Sequence, residues 1–388
     1  MKLFKKFAFA AVAATSLIGL ASCGGATEEK VNITVGVTQD TGNNFQSMKT
    51  FLDALSEPLN FTWDYQLMDS RNDANNLTAL QNSLNSGTRG IINMTDMTAN
   101  NLQTLLKSLE LNDAYYAGYQ TDMTNAAKAG LLDNERIVGT VTDGESGELR
   151  GEVLFNQIVK TNLRKVVFAQ FPAAYFPAVV GAVDKFKELA TAYNASHDDK
   201  FTYYTGSGDT YPDANTYQFQ FSVAKLPDAE YDAWKSAGVE AVIAVNSLAK
   251  RLLTGDKSIK IYSVGWDDEV ISDFGADKTI RTLAQTPAET ILYPLIKVLN
   301  AIRGNNYSDE PTKGSDTVVT GHYIFVTSTE DIAAGKTNSM NFSEDHAMSR
   351  SLITVADAAK LLASNGGTFA KLKATIDSWD SDYVLYRK

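Results

Sequence analysis

Three runs follow one another between residues 241 and 287: AVIAVN (241–246), IYSVGWDD (261–268) and IRTLAQTP (280–287). Each begins as an apolar stretch of strand length and runs out into a polar side chain. Asn246 closes the first. Gly265, Trp266 and Asp267 close the second. Gln285 closes the third, with Pro287 at a helix start. Buried runs of this kind suit a parallel sheet covered by helices on both faces. In such a sheet ligands lie beyond the carboxyl ends of the strands. Asn246, Asp267 and Gln285 then share one edge, with donors and acceptors for hydroxyl groups.

The same alternation extends outward in both directions. Val31–Val37 is a β-branched run, and Phe45, Met48, Phe51, Leu52 and Leu55 follow at helical spacing. Strands are predicted over 61–68, 90–94, 114–120 and 137–141, with amphipathic helices between the first three of them. The pattern then restarts with a helix over 147–159 and a strand over 165–170. Further on, helices are predicted over 179–193 and 229–237, and strands over 217–221, 241–245, 259–264 and 280–284. Two successive β-α sets predict two α/β lobes, each a doubly wound parallel sheet, facing one another across a cleft. Beyond Ile332, Ile353–Leu362 reads as a helix. Trp63, Trp234 and Trp379 read as structural.

The amino terminus has the form of an export signal. Lys2, Lys5 and Lys6 precede an apolar run from Phe7 to Leu20, too short to span a bilayer, and small residues follow. The 388-residue chain carries a formal net charge of −11, which argues against nucleic acid and against lying flat on anionic lipid. Catalytic signatures are scarce. The chain has three histidines, His197, His322 and His346, and no pair of them has a metal-ligand spacing. Neither a GxSxG elbow nor a phosphate-binding loop is present, and Gly206-Ser207-Gly208 reads as a turn. Neither a cofactor nor a metal is expected.

The tetrad Leu20-Ala21-Ser22-Cys23 resembles the lipobox of bacterial lipoproteins. That resemblance implies cleavage before Cys23, lipid on the single cysteine of the chain, and residues 24–30 as a tether. It also leaves no cysteine for nucleophilic chemistry. AVIAVN, VGWDD and TLAQTP, in this order, resemble the type I periplasmic solute-binding proteins, the ribose- and galactose-binding group related to the LacI-type regulators. TVGVTQDTGNNF (34–45), SGTRGIINMTD (86–96) and VGTVTDGESGELRGE (138–152) resemble the amino-terminal half of that family. There are departures. The helix expected after the first strand of the second lobe has no Arg over 177–184, and Tyr119-Gln-Thr-Asp122 stands where the family has an Asp-Arg pair.

The resemblance implies two lobes joined by three crossings, near Thr142-Asp143, Gln285-Thr286 and the strand 321–327. Lobe one would hold 31–142 and 286–325; lobe two would hold 143–285 and 326–388, with a C-terminal extension. It implies a monomeric, lipid-anchored extracytoplasmic protein without enzymatic activity. Such a protein captures a small polar solute, a carbohydrate or nucleoside-like molecule, for an ABC permease. A sensor docking on a membrane receptor and a secreted hydrolase are the other readings. Asp267 would accept from ligand hydroxyls, Asn246 and Gln285 would bridge them, and Phe45 would pack on a ring face. Asn44 and Trp266 join the expected contacts, with Gln120, Asp122, Tyr175 and Phe221 behind them.

Overall fold

The computed structural model describes residues 30–387 apart from 70, 122, 145, 175, 177, 178 and 267. Cys23 and three expected contacts, Asp122, Tyr175 and Asp267, therefore lie outside the described residues.

The first half alternates as its hydrophobic spacing predicts: β1 (Val31–Val37), α1 (Gly42–Ser56), β2 (Phe61–Leu67), α2 (Asp73–Asn85), β3 (Gly90–Asn93), α3 (Ala99–Leu111) and β4 (Tyr115–Tyr119). A short α4 (Thr124–Lys128) and β5 (Ile137–Val141) complete it. The second half runs α5 (Gly147–Ile158), β6 (Lys165–Gln170), α6 (Ala182–Asn194), β7 (Thr202–Tyr203), β8 (Thr216–Gln218) and α7 (Asp228–Ser236). It continues with β9 (Ala241–Ala244), α8 (Ala249–Leu252), β10 (Lys260–Ser263) and β11 (Ile280–Gln285). The remainder is α9 (Leu292–Ile302), β12 (Val318–Val319), β13 (Ile324–Val326), α10 (Thr329–Asn338), α11 (Val355–Ala359), α12 (Phe369–Asp377) and α13 (Ser381–Tyr386).

These strands form two sheets, one per lobe. The first has the order β12-β5-β4-β3-β1-β2, and the second β13-β11-β10-β9-β6-β7 with β8 also on β6. Among the described residues every pairing of the first sheet is parallel. In the second, among the described residues, the edge strand β13 alone runs antiparallel, against β11. The chain crosses between lobes after β5, after β11 and between β12 and β13, and the crossings are tied to one another. Thr142 N donates to Val319 O at 2.9 Å, Gly321 N to Thr142 Oγ1 at 2.9 Å, and Thr286 Oγ1 to Asp143 O.

Local differences from the sequence reading have physical causes. The strand predicted over 217–221 is Thr216–Gln218, because its partner β6 ends at Gln170 and Phe219 N makes the last bond to it, at 2.9 Å. The helix predicted from Val179 starts at Ala182, after Gly181 takes a left-handed φ of 86°. The helix predicted over Ile353–Leu362 shortens to Val355–Ala359, capped by the Thr354 hydroxyl.

Helix α9 is buried from Leu292 to Asn300. A helix buried all round, as this one is despite Lys297 and Asn300, must be covered on every side. Strands β3, β4 and β5 cover one side, and the C-terminal extension covers another. Tyr307 Oη donates to Leu361 O at 2.6 Å, and Ala363 N to Asn300 Oδ1 at 3.1 Å. Just before α9, the turn Ala288–Ile291 holds Glu289, which is 0% exposed. Its Oε1 accepts from Leu352 N at 3.4 Å, and its Oε2 has no partner among the described residues.

Burial pushes the Glu289 carboxyl up to about 7, opposed by its backbone bonds and more weakly by Arg387. Tyr119, whose hydroxyl donates to Ala288 O at 3.1 Å, also faces it. A carboxyl with a higher pKa folded than unfolded binds its proton more tightly in the folded chain. Its contribution to stability is thus present below the unfolded value and is lost as pH rises through about 7. Glu289→Gln should therefore match wild type near pH 4 and exceed it at pH 8, by on the order of 3 kcal/mol. Urea denaturation of both proteins across that range measures the difference; a pH-independent difference refutes it.

Candidate functional site

A cleft of about 900 Å³ opens between the carboxyl ends of the two sheets. Both lobes bring strand ends to it for the same reason: a parallel strand hands its chain to a helix on this side. From the first lobe come the end of β1 with the first turns of α1, the end of β3 with Met94, Thr95 and Asp96, and Gln120 and Thr121 after β4. From the second come Phe171 and Phe176 after β6, Asn246 and Ser247 after β9, Gly265 and Trp266 after β10, and Gln285 at the end of β11. Gly265 is required where it stands. Its φ is 108°, and a Cβ there would meet Ser247 Cβ at 2.3 Å.

Six of the expected contacts line the cleft: Asn44, Phe45, Gln120, Asn246, Trp266 and Gln285. Several of their polar atoms already serve the fold. Asn44 Nδ2 donates to Thr286 O at 3.0 Å. Gln120, itself left-handed at φ 48°, places Nε2 at 3.4 Å from both Thr286 O and Pro287 O. Asn246 Oδ1 accepts from Phe171 N at 2.8 Å, which ties the end of β9 to the end of β6. Gln285 Nε2 donates to Asn341 O at 3.3 Å, while its buried Oε1 has no partner among the described residues. Phe45 meets Tyr65 edge to face at 5.1 Å, and Trp266 meets Phe342 at 4.8 Å. Phe221 does not line the cleft. It stacks on Phe171 at 5.1 Å with 14° between the rings, and the Arg71 guanidinium of the other lobe lies 5.7 Å over it.

The sequence reading missed Phe171, Phe176, Tyr323 and Arg150. Arg150 is the most informative of these, since the departures from the family had removed two cationic donors. It lines the cleft at 3% exposure, its Nη2 donates to Asp143 Oδ1 at 2.8 Å, and its guanidinium lies 4.9 Å over the Tyr323 ring. A signal was present: Gly147, Arg150, Gly151, Leu154, Phe155 and Ile158 are the buried positions of α5, at helical spacing. Lys250 pairs with Glu269 at 2.6 Å. The cleft's cations are thus matched by acids, and apart from Asp96, whose Oδ2 accepts from Asn125 N at 3.0 Å, its remaining polar side chains are amides and hydroxyls. Among the described residues, no three His, Cys, Asp or Glu side chains gather as a metal site.

Neither a family model nor a curated protein matches the chain. Solved structures do. The chain is similar to a solute-binding protein of an ABC transporter from Burkholderia graminis, in complex with D-arabinose. That match has a TM-score of 0.57 and 10% identity, over 78% of this chain and 96% of that one. It is similar to GanP, a glucose-galactose binding protein from Geobacillus stearothermophilus, with a TM-score of 0.52 and 12% identity over 77% and 98% of the chains. The transcription regulator CcpA of Lactococcus lactis matches with a TM-score of 0.51 and 9% identity, over 77% and 98%. At such identities the likeness is one of fold, and the fold is that of the type I periplasmic binding proteins.

The bond between Asn246 and the Phe171 amide yields a prediction about stability. Asn246 is 7% exposed, so Asn246→Ala leaves a buried N–H without its acceptor. The expected cost is about 1–3 kcal/mol, read from the denaturation midpoint without any ligand. No loss would mean that the amide serves a ligand alone.

Proposed function

We propose that this chain is a lipid-anchored extracytoplasmic protein that captures a neutral, hydroxylated small molecule, sugar-like in chemistry, and delivers it to an ABC importer. The observation that carries this reading is the cleft. Strand ends of two parallel sheets face each other across it, and they present amides, hydroxyls and aromatic rings around a volume suited to a small ligand. The similar solute-binding proteins support it, since their names record D-arabinose, glucose and galactose as what they bind. The lipobox resemblance at Cys23 supports the anchor. Among the described residues no helix is long and apolar enough to cross a membrane.

In this reading the lobes part at the three crossings and close over the solute by rotation about them. Gln285 Oε1 and Asp267 accept from ligand hydroxyls, and Asn246 adds its amide. Phe45, Phe171, Phe176 and Trp266 offer ring faces to the apolar side of a sugar or a base. Arg150, held by Asp143, supplies a fixed donor in place of the family's missing cations. Binding needs no covalent step.

The test uses the mature chain with Cys23→Ser, screened by thermal shift against D-arabinose, L-arabinose, D-allose, D-glucose, D-galactose and common nucleosides. A true ligand at a hundredfold excess over its Kd stabilises by about 2.7 kcal/mol. Calorimetry on that ligand should then show Asp267→Ala weakening binding by about tenfold to a hundredfold, and Asp268→Ala changing it little. No shift with any member of the panel, together with turnover of an ester or glycoside, overturns the reading.

A further inference from the structure

We infer that the C-terminal extension is a brace across the hinge: His346 and Phe342 grip opposite lobes, and Phe342 positions Trp266 in the cleft. The inference rests on the solute-binding reading for its purpose and on the geometry alone for its existence.

Residues Ser339–Phe342 are almost wholly buried. From this segment and from His346 just after it, contacts go both ways. His346 Nδ1 lies 3.1 Å from the hydroxyl of Ser47, which is buried on α1 of the first lobe. Phe342 meets the Trp266 ring of the second lobe at 4.8 Å and 83°, and Asn341 O accepts from Gln285 Nε2. The rest of the extension is divided in the same way. Helix α12 packs on α9 and β12, and Phe369 N donates to Asp309 Oδ1 at 2.8 Å. Helices α10 and α13 pack on β13, where Phe325 N donates to Ser381 Oγ at 3.1 Å.

A hinge of three crossing strands lets two lobes rotate apart. A buried segment seated against both lobes beside that hinge must release one of them before they rotate. Trp266 and Gln285 are cleft residues whose outward sides rest on it, so the same release frees the Trp266 ring. Phe342 and His346 do not line the cleft and are positioning residues, not ligand contacts.

The experiment needs no ligand. The mature chain with Cys23→Ser carries nitroxide labels at Thr78 and Lys225, one in each lobe, and 5-fluorotryptophan in place of tryptophan. Electron–electron resonance reads the interlobe distance, and fluorine NMR reads the Trp266 signal, assigned with Trp266→Phe. Wild type should give one narrow distance population. Phe342→Ala should raise the ratio of long to short distances by roughly two- to tenfold and shift the Trp266 signal, leaving that of Trp234 in place. His346→Ala, at a partly exposed site, should lengthen the distance in the same sense and serves if Phe342→Ala does not fold. Unchanged distances in either folded variant overturn the brace. An unchanged Trp266 signal in Phe342→Ala overturns the positioning role. Failure of every sugar to bind leaves both readouts intact, so the two readings fail separately.

Discussion

The carbonyl of Thr286 is the point at which the two lobes are held in register. Asn44 from α1 and Gln120 from the end of β4 both donate to it, and the Thr286 hydroxyl donates to Asp143 O in the first crossing. One residue thereby joins the second crossing to the first lobe and to the neighbouring crossing. Each partner is a cleft residue, so the geometry of the hinge and that of the site are not independent. Amides suit this position. They bond a carbonyl in a half-dry setting without the desolvation cost that a charged side chain would carry there.

The electrostatics of the cleft follow the same economy. The cationic side chains that reach it, Arg150 and Lys250, each have an acid beside them, Asp143 and Glu269. Arg150 is also set over an aromatic face. A nearly buried guanidinium without such partners would be costly, and with them it becomes a fixed donor. What remains for a ligand is a set of amides, hydroxyls and rings with one further carboxylate, Asp96, which favours a neutral polar molecule over an anion.

The C-terminal extension lies against cleft and hinge residues. The similar solved structures cover 77–78% of this chain. Here the extension covers the buried α9, takes the Glu289 carboxyl against Leu352 N, and backs Trp266 and Gln285. A buried acid, a buried helix and two cleft side chains therefore depend on a segment whose sequence carries no binding motif.

Much of the fold was legible in the sequence because hydrophobic period is a local property. β1, β5, β6 and α5 stand almost where their spacing puts them, and AVIAVN, IYSVGWDD and IRTLAQTP form three neighbouring strands of one sheet. Topology then placed Asn246, Trp266 and Gln285 on one edge, since parallel strands end together. The sequence could not say which atoms of those side chains were left for a ligand. Asn246 Oδ1 is taken by Phe171 N and Asn44 Nδ2 by Thr286 O, through bonds between residues 75 and 242 positions apart. Nor could it place Arg150 against Asp143 and Tyr323, or Phe342 behind Trp266. Such pairings are set by how two lobes and a tail fold over one another, and no local period encodes them. The chain alone thus determined the lobes, their strand order of appearance and the edge at which the cleft lies. The tertiary structure decided which side chains meet there, because burial and hydrogen-bond partners are properties of the assembled surfaces.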